Sequence, residues 1–76
     1  MFGQKRYRFS LSITKEQLLA VYKGAIQRVR IRAYDGTVLE LDANRLKMFT
    51  TNEGIYGEFE LVTTMENKFV ELRQLS

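Results

Sequence analysis

"QRVRIRAYDGTVLEL", residues 27–41, alternates Arg28, Arg30 and Arg32 with Val29, Ile31 and Ala33, then crosses an Asp-Gly pair into Val38, Leu39, Glu40 and Leu41. Alternation with a period of two marks a half-buried strand, so the stretch reads as a β-hairpin. Its register decides the fold, because a slip of one residue moves every side chain to the other face. A two-residue loop, Asp35-Gly36, sets Arg32 opposite Leu39 and Arg30 opposite Leu41 and mixes guanidiniums with leucines. A three-residue loop, Tyr34-Asp35-Gly36, with Gly36 left-handed in a bulge, pairs Ala33 with Thr37, Ile31 with Leu39 and Val29 with Leu41. The polar face then carries Arg28 opposite Asp42, Arg30 opposite Glu40 and Arg32 beside Val38. This second register separates apolar from charged side chains and is the one expected.

The segments on either side follow the same logic. In "YRFSLSI", Tyr7, Phe9, Leu11 and Ile13 share one face and Arg8, Ser10 and Ser12 the other, a first strand. "TKEQ" fits a capping box at Thr14 and Gln17. It opens a helix of about ten residues, with Leu18, Leu19 and Tyr22 as its apolar stripe, Val21 on the flank and Gly24 as its stop. A helix that short is not stable alone and must lie on a sheet. After Asp42, "ANRLKMF" spaces Leu46 and Phe49 as a helical or 3₁₀ turn. "GIYGEFELV" returns to alternation, with Ile55, Gly57, Phe59 and Leu61 inward and Tyr56, Glu58 and Glu60 outward. Gly57 leaves room there for a bulge or an overlying ring. "TMENK" is a turn, and "FVELRQL" a last strand with Val70 and Leu72 inward and Glu71 and Arg73 outward. The expected fold is α+β: a curved, mainly antiparallel sheet of about five strands, in the order β-α-β-β-β-β, with one short helix packed on it. A parallel placement of the first strand beside the second, through a right-handed crossover, is compatible with this order.

Composition narrows the function classes. With 76 residues the chain is expected to form a single domain, 1–76, with a thin core. Its 45% hydrophobic and 28% charged residues are those of a folded protein. No apolar run reaches the roughly 20 residues that span a bilayer. "MFGQKRYRFS" has no apolar stretch behind its basic residues, as a secretory leader would. With neither cysteine nor histidine, disulfides, thiolate and imidazole metal sites, and Cys- or His-based nucleophile systems are excluded. No metal, cofactor or catalytic residue is expected, and the cytoplasm is the expected location. Glu58 and Glu60 stand roughly 7 Å apart on one strand face, and a solvated face accounts for them as well as acid–base chemistry does. Gly54-Ile55-Tyr56-Gly57 spells the G-x-x-G of a nucleic-acid-clamping loop, but it enters a strand instead of joining two helices.

Charge is unevenly placed. Residues 1–38 carry eight basic and two acidic side chains, residues 39–76 four basic and seven acidic ones. Such asymmetry marks either an anion-binding surface or strands that face each other. In the expected register the arginine row is largely matched by carboxylates on the adjoining strand. The candidate binding residues are Arg28, Arg30, Arg32, Tyr34 and Tyr56, arginine and tyrosine being enriched at protein interfaces. The leading expectation is a non-enzymatic interaction module that binds an unidentified protein or a second copy of itself, since exposed strand edges can self-associate into a homodimer. The alternative is an RNA- or DNA-binding domain that uses Arg28, Arg30 and Arg32 with Lys5, Arg6 and Arg8.

Taken together, "YRFSLSIT", "VYKGA", "YDG", "ANRLKMF", "GIYGEFEL" and "NKFVEL" resemble a family of short bacterial proteins, mostly gammaproteobacterial, known as a domain of unknown function. The resemblance implies a stand-alone cytoplasmic domain and supplies no activity, ligand or functional residue. Asp42 before Ala43 and Met48 before Phe49 stand where the family is expected to carry prolines, so the turn between them is expected to be less rigid.

Overall fold

The computed structural model describes residues 3–76, so Met1 and Phe2 of the basic opening segment lie outside the described residues. Strand β1 (Gln4–Thr14) leads into helix α1 (Lys15–Tyr22), then the hairpin β2 (Arg28–Arg32) and β3 (Val38–Asp42). A 3₁₀ segment (Ala43–Phe49) follows, and then β4 (Gly54–Thr64) and β5 (Phe69–Gln74). The class is α+β, and all strand pairs are antiparallel. The strands fall into two sheets, one of three in the order β1-β4-β5 and one of two, β2-β3. β1 pairs with β4 over its whole length and not with β2, so the parallel crossover placement is not formed and β1 instead adds antiparallel to the β4–β5 hairpin.

The hairpin takes the three-residue turn. Ala33 N–H donates to the Thr37 carbonyl at 2.8 Å, and Gly36, at φ +92°, donates back to the Ala33 carbonyl at 2.9 Å. The Asp35 carboxylate accepts from Thr37 N–H at 2.9 Å, which holds its pKa below the ordinary value. Ile31 thus stands opposite Leu39 and Val29 opposite Leu41 on the inner face. These side chains join Phe9, Leu11, Leu18, Leu46, Ile55, Phe59, Leu61 and Leu72 in one core shared by both sheets. Phe59 is central: its ring stacks on Phe9 at 6.0 Å and meets the edge of Phe49 at 5.1 Å.

The capping box forms as read, Gln17 N–H donating to Thr14 Oγ1 at 3.2 Å and Thr14 N–H to Gln17 Oε1 at 3.0 Å. Gly24 takes φ +81° just past the helix end. The buried helix face, however, is Leu18 and Val21, while Leu19 and Tyr22 are exposed. Tyr22 instead reaches outward to the end of the 3₁₀ segment, with its hydroxyl 3.4 Å from Thr50 Oγ1 and Lys47 Nζ 4.9 Å from its ring. Between β4 and β5 the ladder shifts register at Val62 and Thr63, so Val70, expected inward, is left without a cross-strand partner and exposed, while Phe69 meets Arg45, whose guanidinium lies 3.6 Å from the ring centroid. The space beside Gly57 is taken by the Ser76 carbonyl, not by a ring.

Two glycines separate steric from conformational demand. Both Gly54 and Gly36 have positive φ, but a methyl on Gly54 would collide with the Ile13 carbonyl oxygen, whereas nothing lies within 4 Å of one on Gly36. Gly36→Ala should therefore cost about 1 kcal/mol of unfolding free energy and Gly54→Ala more than about 2 kcal/mol, measured by urea denaturation.

Candidate functional site

Tyr34 ties the outer faces of the two sheets together. Its N–H donates to the Arg8 carbonyl at 2.9 Å, joining the hairpin tip to the edge of β1. Its hydroxyl donates to the Glu58 carboxylate, 2.8 Å from each oxygen. That acceptor raises the Tyr34 pKa above 10.0, because ionising the phenol would place its charge beside the carboxylate and lose the hydrogen bond. Tyr56 lies two residues from Glu58 on the same strand face, opposite Ser12 of β1. Tyr34 and Tyr56 are thus both exposed rings of the outer surface, as read from the sequence.

The arginine row is paired, with one change of partner. Arg28 Nε and Arg30 Nη2 both contact Glu40, at 3.2 and 3.5 Å. Arg28 does stand opposite Asp42, but that carboxylate turns down to accept from Asn44 N–H at 2.9 Å and cap the 3₁₀ segment. A capping bond satisfies an otherwise orphaned amide, and an exposed ion pair contributes only about 0.2–1 kcal/mol. Arg32, beside Val38, has no ion pair among the described residues.

Sequence reading missed a second arginine cluster. Glu60 points outward, as its parity requires, yet it is 3% exposed. Arg6 and Arg8 from β1 and Arg73 from β5 close over it at 3.1, 3.4 and 2.9 Å. The Arg73 hydrogen bonds, then those of Arg8, hold the carboxyl below the ordinary 4.5 despite desolvation. Glu60 is therefore a fixed anion locked among cations, unsuited to donating or abstracting a proton near neutrality. Lys5 does not join either cluster; its ammonium donates to Asn67 Oδ1 at 3.1 Å. Arg6 and Arg8, two apart on β1, were the visible signal, but only the order β1-β4-β5 shows which carboxylate they flank.

Between the sheets lies a cleft of about 480 Å³, in the roughly 300–1,000 Å³ range of ligand sites. Ser10 to Ile13 of β1 form one wall and Arg28 to Arg32 of β2 the other, with Gln17, Val21 and Ile26 at one end. The Tyr34–Arg8 hydrogen bond ties the two walls together at one end, and no residue of β1 pairs in register with β2 beyond it. Backbone N–H and C=O groups alternate in direction along a strand. Since Arg8 turns its carbonyl to Tyr34, Ser10 and Ser12 turn theirs into the cleft. Since Ala33 and Gln27 bond to the β3 side, Arg28, Arg30 and Arg32 likewise face β1. Two open strand edges thus look at each other across a gap.

Among the described residues no group of carboxylates is placed to hold a metal ion, and no helix is long and apolar enough to cross a membrane. Compared with known proteins, residues 5–75 match the model of a family described as a protein of unknown function, DUF2835. No curated protein and no solved structure matches the chain.

Two titrations check this geometry. In alkaline titration by NMR, Tyr34 should lose its proton above 10.0, and Glu58→Gln should bring it back toward that value. Because Glu60 is held below 4.5, the stability it contributes is complete above 4.5 and is lost as pH falls through its lower, folded value. Thermal melts of Glu60→Gln should therefore show a lower melting temperature than wild type at pH 7 and a smaller gap in acid.

Proposed function

The chain belongs to this family of proteins of unknown function, and we propose that it is a non-enzymatic interaction module whose contact surface is the cleft between β1 and β2 with the rim of Arg28, Arg30, Arg32, Tyr34 and Tyr56. The observation that carries the reading is the pair of open strand edges facing one concavity, one wall of which is the arginine-bearing strand β2. An unpaired edge is a template for another chain, and arginine and tyrosine are the side chains that anchor protein contacts. The cytoplasm is the compartment this reading assigns, consistent with a cysteine-free composition.

The nucleic-acid reading draws support from the six arginines of the outer surface, Arg6, Arg8, Arg28, Arg30, Arg32 and Arg73. Five of them already neutralise Glu60 or Glu40, and Glu58 and Glu71 add further negative charge to the same surface. A phosphate backbone gains by exchanging its condensed counterions for protein cations, and it has no row of N–H and C=O groups to pair with the open edges of β1 and β2, as an extended peptide has. Protein contact is therefore favoured.

Affinity capture from the native cytoplasm, with protein and RNA both identified, tests the choice. The wild-type chain should retain a protein that Arg30→Glu with Arg32→Glu releases, the variant's circular dichroism staying that of the folded chain although loss of the Arg30–Glu40 pair lowers its melting temperature by a few degrees. Recovery of RNA whose binding falls with salt at a log–log slope of about −0.9 per phosphate contact would replace this reading with the alternative.

A further inference from the structure

We propose that the ligand of this cleft is an extended segment with alternating acidic and apolar residues, which adds as a strand between β1 and β2. The inference rests on the interaction-module reading and specifies its partner. Three independent features of the cleft lead to it.

First, the walls offer backbone partners on both sides. Ser10 and Ser12 on one edge and Arg28, Arg30 and Arg32 on the other present N–H and C=O groups to the gap. An inserted extended chain is the ligand whose own backbone can satisfy both rows, because its donors and acceptors also alternate from side to side. Four residues of wall, Ser10 to Ile13, correspond to about 13 Å of extended chain at 3.3 Å per residue.

Second, the two faces of the gap differ in chemistry. Toward the core it is floored by Leu11, Ile13, Val21, Val29 and Ile31; toward solvent it is rimmed by Ser10, Ser12, Arg28, Arg30 and Arg32. A strand in this slot points successive side chains to opposite faces, so an apolar residue that fits the floor is followed by one that meets the arginines. Alternation in the ligand follows from the geometry of the slot.

Third, the sign of the charge is set. Among the described residues no carboxylate lines the cleft; Glu40 reaches Arg28 and Arg30 from the β3 side, and Glu58 is engaged by the Tyr34 hydroxyl at the tied end. Arg32 has no ion pair among the described residues. Carboxylates entering from the β1 side complete the second half of each guanidinium fork, as bidentate pairing favours.

β1 runs from Arg8 toward Ile13, away from the Tyr34–Arg8 contact, while β2 runs from Arg28 to Arg32, toward it, so the two walls are antiparallel. The inserted strand is therefore parallel to one wall and antiparallel to the other.

The test is an NMR titration of the full ¹⁵N-labelled chain with four hexapeptides and a single-stranded oligonucleotide. The peptides are Glu-Val alternating, the same composition in two blocks, Lys-Val alternating, and the Glu-Val peptide N-methylated at every second residue. The alternating acidic peptide should shift the amides of Ser10, Ser12, Arg30 and Arg32 and bind at least about tenfold more tightly than each of the other three peptides. Arg32→Glu, at the β2 arginine without an ion pair among the described residues, should weaken it several-fold while the melting temperature holds. Equal binding of acidic and basic peptides at these amides would overturn the acidic assignment and leave the interaction module standing. Equal binding of the N-methylated peptide would overturn strand addition. If no peptide shifts these amides and the oligonucleotide does, both this inference and the reading beneath it fall.

Discussion

The turn Tyr34-Asp35-Gly36 is the constraint on which the rest depends. Its three residues fix the hairpin register, and the register sends Val29, Ile31, Leu39 and Leu41 into the shared core. The same choice sets which backbone groups of β2 are spent on β3 and which are turned toward β1. Tyr34 then fastens the hairpin tip to Arg8 by its amide and to Glu58 by its hydroxyl. One tyrosine at a turn thus positions two sheets relative to each other while leaving the opening between them unfilled.

On the other side of the surface, Glu60 performs the complementary task. β4 is the central strand of its sheet, so Glu60 lies between Arg6 and Arg8 of β1 and Arg73 of β5, whose side chains cover it. Three arginines supply what water would, and a buried charge is tolerated only when it is paired in this way. The cluster is charge management within the fold. It removes Arg6, Arg8 and Arg73 from the cations free to attract a ligand and leaves the arginines of β2 as the distinctive part of the surface.

Much of this was legible in the sequence because strands and caps are local. The hairpin register followed from keeping leucines away from arginines, the capping box from "TKEQ", and the alternation of "GIYGEFEL" placed Phe59 and Leu61 inward. What could not be read depended on contacts distant in the chain. Nothing local says that β1 lies beside β4, so the burial of Glu60 under Arg6 and Arg8 was hidden. The helix face was misread because Leu18 and Val21, not Leu19 and Tyr22, meet the sheets, a rotation set by packing and not by the short helix's own pattern. Asp42 was assigned to Arg28 across the strand, whereas the start of the 3₁₀ segment two residues on claims its carboxylate. Of the candidate site, the residue types were legible and the cleft was not, since it exists only where two strands fail to pair.

Amide hydrogen exchange, read residue by residue, measures the open edge most directly. The account requires fast exchange at Ser10, Ser12, Arg30 and Arg32, whose N–H groups face the gap, and slow exchange at their neighbours Leu11, Val29 and Ile31, whose N–H groups are bonded within the sheets. Equal protection of both sets would mean that β1 and β2 are joined and that the opening between them does not exist.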